Sequence, residues 1–107
     1  MNKLFVEARH LEMIKNIFEE YCPTCEVFAY GSRINGMAHE GSDLDLTVKN
    51  FPKNKYFFEL KEKFSDSNIP FLVDINIYDT LPDSFKEEIE KNNVKIYPDD
   101  SSRFKLR

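Results

Sequence analysis

Residues 30–48, YGSRINGMAHEGSDLDLTV, decide how the rest of this 107-residue chain reads. The stretch opens with Gly31-Ser32 behind a β-prone apolar run, Val27-Phe28-Ala29-Tyr30, and closes with Asp43 and Asp45 in a second such run, Leu44 to Val48. Residues two apart in a strand share a face, so Asp43 and Asp45 project together while Leu44 and Leu46 turn towards a core. Neighbouring carboxylates in an apolar strand repel unless a cation lies between them, and oxygen ligands at that spacing suit a hard ion such as Mg²⁺. A glycine lets backbone approach a ligand closely, and N–H groups opening a helix attract phosphate. A metal site beside a phosphate site implies nucleotide chemistry.

Outward from that stretch, the chain alternates helix and strand. Leu11, Ile14, Ile17, Phe18 and Tyr21 follow helical spacing and predict an amphipathic helix from about Val6 to Tyr21, stopped by Pro23. His10 within it reads as a solvated or capping side chain. Cys25 to Tyr30 is expected as the first strand, a short helix from Ser32 with Gly36 near its end, and Asp43 to Lys49 as the second strand. His39 and Glu40 read as a solvated loop. A helix over Lys55 to Phe64 follows, then a strand from Phe71 to Tyr78 that places Leu72, Asp74, Asn76 and Tyr78 on one face. Asp74 thereby joins the face that carries Asp45. Pro82 to Asn92 predicts a third helix, with proline in its first turn, and Val94 to Tyr97 a final strand. The expected architecture is α/β: a mixed sheet centred on residues 25–30, 43–49 and 71–78, helices mainly covering one face, in one domain over 1–107, with 99–107 as a flexible tail.

Composition narrows the function. A net charge of −4 argues against a broad nucleic-acid footprint. Ten Phe and five Tyr without Trp imply an aromatic core and a face left over for a partner. The apolar runs are too short to span a membrane and no signal peptide is legible, so a cytoplasmic protein is expected. Cys22-Pro23-Thr24-Cys25 is a C-x-x-C, but a helix feeds a strand here, the reverse of the thioredoxin-type order. A zinc site would need two more ligands, with only His10 and His39 to supply them. Structural thiols are the reading.

Ten residues separate Ser32 from Asp43, and Gly-Ser followed at that distance by Asp-x-Asp resembles the nucleotidyltransferase superfamily that includes DNA polymerase β. Gly31-Ser32-Arg33, Gly36 and Ser42-Asp43-Leu44-Asp45-Leu46 look like its small, single-domain minimal nucleotidyltransferases. Val73-Asp74-Ile75 fits the family's third strand, and Leu81 to Tyr97 its closing helix and strand. Ile34-Asn35 departs from the many members with a second basic residue there. The resemblance implies that Asp43, Asp45 and Asp74 are catalytic and hold two Mg²⁺ ions. Gly31, Ser32, Arg33 and Ser42 would bind the nucleotide, with Arg33 adding charge or locking the turn. It further implies ATP as substrate and a helical HEPN-type partner toxin, a tyrosine of which receives AMP, with this chain as antitoxin. A binding-only antitoxin and transfer to a small molecule are the alternatives.

Overall fold

A computed structural model describes residues 3–34, 36 and 42–98; the expectations for His39, Glu40 and the tail at 99–107 lie outside them. The described chain runs α1 (Ala8–Tyr21), β1 (Glu26–Tyr30), a 3₁₀ turn (Gly31–Ile34), β2 (Leu44–Lys49), α2 (Phe57–Ser65), β3 (Val73–Ile77), a second 3₁₀ turn (Tyr78–Thr80), α3 (Asp83–Lys91) and β4 (Val94–Tyr97). The four strands form one mixed sheet in the order β3-β2-β1-β4. β1 pairs antiparallel with β2 and β4, and β2 pairs parallel with β3. Among the described residues no helix is long and apolar enough to cross a membrane.

Period-two alternation gives the sheet two unlike faces. The register aligns Ala29 with Leu46 and Ile75, and Val27 with Val48 and Ile77. Val27, Ala29, Leu44, Leu46 and Val48 are fully buried on that apolar face. α1 and α2 supply the rest of the core through Ile14, Phe18, Leu60 and Phe64, each pair at the i, i+4 spacing that lines one helix face. The Phe18 ring meets Phe64 at 5.3 Å and stacks on Tyr97 at 6.1 Å, tying both helices to the end of β4. Tyr21 fastens α1 to α2: its hydroxyl donates to Glu59 at 2.6 Å and accepts from the Tyr56 N–H at 3.1 Å. α3 touches the opposite, polar-patterned face, where Phe85 meets Tyr30 and Glu90 pairs with Lys49 at 3.0 Å.

Cys22 and Cys25 are free thiols in this core, 3.2 Å apart across the turn between α1 and β1. The two thiols share one hydrogen bond, which with burial pushes the Cys25 pKa well up and pulls that of Cys22 down. Both side chains are buried and pack as small apolar groups. His10 is half-buried and packs edge-on against Phe71, with ring centroids 5.8 Å apart.

Phe18→Ala removes the side chain that joins both helices to the sheet and should cost about 3–5 kcal/mol. Leu72→Ala, at a side chain 63% exposed, should stay within about 0.5 kcal/mol. Urea denaturation checks both, through the midpoint at constant slope.

Candidate active site

The polar face of the sheet carries a row fixed by backbone pairing: Tyr30 of β1 lies opposite Asp45 of β2, which lies opposite Asp74 of β3. Asp43 stands one residue before β2 begins at Leu44, in step with Asp45, and is exposed. Two carboxylates side by side in a parallel ladder repel. They are held there because slipping either strand by one residue would turn its apolar set out of the core.

The electrostatics record that crowding. The pKa of Asp45 is raised first by burial, then by the charges of Asp74 and Asp43. All three acids therefore act on one small region. Among the described residues no group of three or more His, Cys, Asp or Glu is gathered closely enough to hold a metal ion, so the expected convergence of the Asp43, Asp45 and Asp74 carboxylates is not seen in this structure. The backbone fixes the pair Asp45–Asp74, with Asp43 beside it. An all-oxygen donor set with excess negative charge fits a hard divalent cation such as Mg²⁺, which would relieve the repulsion.

Gly31 brings the phosphate-type turn against the acids. Its φ of +82° belongs to the left-handed region, and a Cβ there would fall 2.6 Å from Asp45 Oδ2. Glycine meets both demands without strain, whereas a side chain here would take a rarely adopted conformation and push the Asp45 carboxylate aside. The expected short helix is instead a single 3₁₀ turn over Gly31–Ile34, with Ser32 half-buried at its second position. Gly36 also has positive φ, +80°.

Arg33 takes the locking role. Its Nε and Nη2 donate to the Ser42 carbonyl at 3.0 and 2.9 Å, its Nη1 donates to the Phe5 carbonyl at 3.0 Å, and the Phe5 N–H returns a bond to the Arg33 carbonyl at 2.7 Å. The guanidinium is buried 4.1 Å from the Phe71 ring centroid. It thus joins the Gly-Ser turn to the residue just before Asp43 and to the N-terminal segment. Ser42 enters this arrangement through its carbonyl.

Tyr30 belongs to the site, although the sequence did not mark it as functional. Asn76 Nδ2 donates to its hydroxyl at 2.6 Å, and its ring meets Phe85 edge-on at 5.6 Å. Burial raises the Tyr30 pKa; the bond from Asn76 pulls the other way, and Asp45 and Asp74 raise it further. The signal that would have found Tyr30 is the β1–β2 register, which a single strand does not disclose. Tyr78, on the face expected of Asp74, donates to Glu90 at 2.7 Å and is engaged with α3.

Residues 12–102 match the family described as Polymerase beta, Nucleotidyltransferase. The chain is 34% identical over 96 residues to the Probable protein adenylyltransferase MntA of Haemophilus influenzae, an alignment covering 88% of this chain and 84% of that protein. Its fold is similar to a solved structure described as "Crystal structure of the toxin-antitoxin with AMP-PNP". The TM-score is 0.67 at 18% identity, over 86% of this chain and 76% of the other.

The raised Asp45 pKa has a testable sign. Folding favours the protonated carboxyl, so its contribution is greatest below the unfolded pKa and is lost as pH rises through the raised folded one. At pH 7 the crowded charge opposes folding, and Asp45→Asn should raise Tm by a few degrees. Mg²⁺ should raise the wild-type Tm at pH 7, with the effect shrinking as pH falls through the carboxylate range. Thermal unfolding with and without Mg²⁺ checks this; an equal Mg²⁺ shift in wild type and Asp45→Asn would remove the acids as a metal site.

Proposed function

The chain belongs to the polymerase β nucleotidyltransferase family, and from that membership we propose that it is a Mg²⁺-dependent protein adenylyltransferase. In this reading it acts in the cytoplasm as the antitoxin of a toxin–antitoxin pair, transferring AMP from ATP to a tyrosine of a helical, HEPN-type partner. The observation that carries the chemistry is the Asp45–Asp74 row with Gly31 packed against it. The protein acceptor is supported by the similarity to MntA.

Asp43 and Asp45 would hold the cation on the triphosphate, and Asp45 with Asp74 the second one. Bound divalent ions supply charge neutralisation for an in-line displacement at phosphorus. The turn's backbone N–H groups and Ser32 hold the terminal phosphates, the close approach being possible because Gly31 has no side chain. Asp74 lies at the outer side of the row on an edge strand and is exposed, where an acceptor on another protein can reach it. Asp74 accepts the proton of the incoming tyrosine hydroxyl, whose oxygen forms a bond to the α-phosphorus as pyrophosphate leaves. Arg33, tied to carbonyl oxygens, keeps the turn and the start of β2 in register during this exchange. The partner supplies the wall that so small a domain lacks.

Asp43→Asn and Asp45→Asn should weaken both Mg·ATP binding and transfer. Asp74→Asn should keep Mg·ATP affinity within a few-fold, while transfer falls about 10²-fold or more, as for loss of a positioned base. Calorimetry paired with a single-turnover assay, read by the intact mass of the partner, separates the two effects. A stable complex whose partner never gains mass would favour a binding-only antitoxin. Normal transfer by Asp74→Asn would remove that carboxylate from the chemistry.

A further inference from the structure

The nucleotide chemistry leaves one motif unused, Cys22-Pro23-Thr24-Cys25 between α1 and β1. The Cys25 N–H donates to the Cys22 carbonyl at 3.1 Å, which closes a four-residue turn. In such a turn the first and last Cα atoms lie within about 7 Å, and a disulfide spans about 4.4–6.8 Å between Cα atoms. The backbone therefore already holds the two cysteines at bridging range, with their sulfurs 3.2 Å apart. Both ends of the turn are anchored. The Cys22 N–H donates to the Phe18 carbonyl at 2.8 Å, and the Tyr97 hydroxyl donates to the Pro23 carbonyl at 3.1 Å. Tyr97 stacks in turn on Phe18, so α1, β1 and β4 meet at this turn. Pro23 and Thr24, which cap the buried sulfurs, are exposed.

We propose that Cys22 and Cys25 form a reversible disulfide latch, closed by exchange with a small-molecule disulfide such as glutathione disulfide. The Cys22 thiolate attacks one glutathione sulfur, forming a mixed disulfide and expelling a glutathione thiolate. The Cys25 thiolate then attacks the Cys22 sulfur, forming the internal bond and expelling the second glutathione. Two electrons pass from the protein thiols to glutathione disulfide, and the two protons end on the released glutathiones. Cys22 is the first nucleophile: the hydrogen bond from Cys25 pulls its pKa down, burial opposes this, and the Lys55 charge adds to the fall. Entry is through the end of α1, where helices fray, beneath the exposed Pro23-Thr24 cap. The cysteines sit at the C-terminal, electronegative end of α1, so they lack the activation of a redox catalyst. A latch that closes once per change of redox state needs no such speed. The bond fixes α1 to β1 at the end of β1 remote from Gly31, so it acts on stability and leaves the nucleotide site alone.

The test equilibrates the folded full chain with glutathione and glutathione disulfide at a series of ratios. Acid quenching, alkylation in denaturant and intact mass follow. Because the chain has two cysteines in all, each product is distinct. At oxidising ratios the expected product is a monomer lighter by two hydrogens that takes up no alkyl group, restored by dithiothreitol to a chain that takes up two. After removal of glutathione, the oxidised chain should melt a few degrees above the reduced one, as a four-residue ring lowers the entropy of the unfolded chain. Its Mg·ATP affinity should equal that of the reduced chain. Cys25→Ala should stop at the mixed disulfide and gain no such stability. Recovery of two alkyl groups at every ratio would overturn the proposal. So would a wild-type product that ends as a mixed disulfide or a linked dimer, or an oxidised chain that melts below the reduced one. A change of Mg·ATP affinity on oxidation would overturn the assignment of the latch to stability alone.

Discussion

The parallel register between β2 and β3 is the constraint on which the site depends. Leu46 opposite Ile75 and Val48 opposite Ile77 are core pairs, and the same alignment makes Asp45 and Asp74 neighbours on the other face. Burying a large aliphatic side chain is worth about 1.5–3 kcal/mol, and several such residues are committed to this register. Repulsion between two partly solvated carboxylates is smaller than their sum. The core therefore holds the acids together against their own charge, and the repulsion remains available to be relieved by a cation. A one-residue slip would abolish both, because alternation couples the two faces of each strand.

Arg33 shows the same economy on the other side of the turn. A buried guanidinium is tolerated only when its donors are matched, and here they meet backbone carbonyls of Phe5 and Ser42 beneath the Phe71 ring. Lysine would place a single point charge where a planar fork reaches two segments. The fork acts on geometry: Ser42 precedes Asp43, so fixing its carbonyl fixes where the first acid of the pair leaves the turn. The guanidinium is thus engaged in architecture.

Elements with strong periodicity were legible in the sequence. α1 follows from helical spacing, α3 from a proline in its first turn, and β2 and β3 from alternation, which also set Asp45 and Asp74 on a common face before any pairing was known. The strand boundaries moved by one or two residues, leaving Asp43 just outside β2, because a ladder needs a partner and alternation does not. What escaped was everything set by pairing between distant segments. Tyr30 looked like an ordinary strand residue, since its place opposite Asp45 depends on the β1–β2 register. Gly-Ser promised a helix, and the described residues there form a 3₁₀ turn over Gly31–Ile34. For Arg33, charge made a phosphate ligand conceivable; that its guanidinium reaches two carbonyls is a matter of distance, which sequence does not carry.

The two faces of the sheet also differ in how completely they are satisfied. On the apolar face Leu44, Leu46 and Val48 of β2 are fully buried. On the polar face Thr47 Oγ1 and Asn76 Oδ1 are buried without a hydrogen-bond partner among the described residues, although Thr47 and Asn76 are register neighbours. An unsatisfied buried polar atom carries a penalty of about 1–3 kcal/mol, so this layer is less well determined than the core behind it. Asn76 nevertheless commits its amide nitrogen to Tyr30, which aims that tyrosine beside the acids. α3 rests on this layer through Ile89, the Tyr30–Phe85 contact and the Glu90 interactions with Lys49 and Tyr78. Its buried anchor is a single isoleucine, whereas α1 buries Ile14, Phe18 and Tyr21. Stability within one domain is distributed unevenly, and elements with few buried contacts open or shift first. Buried contacts are thus concentrated behind the aspartates, and α3 is the helix with the fewest.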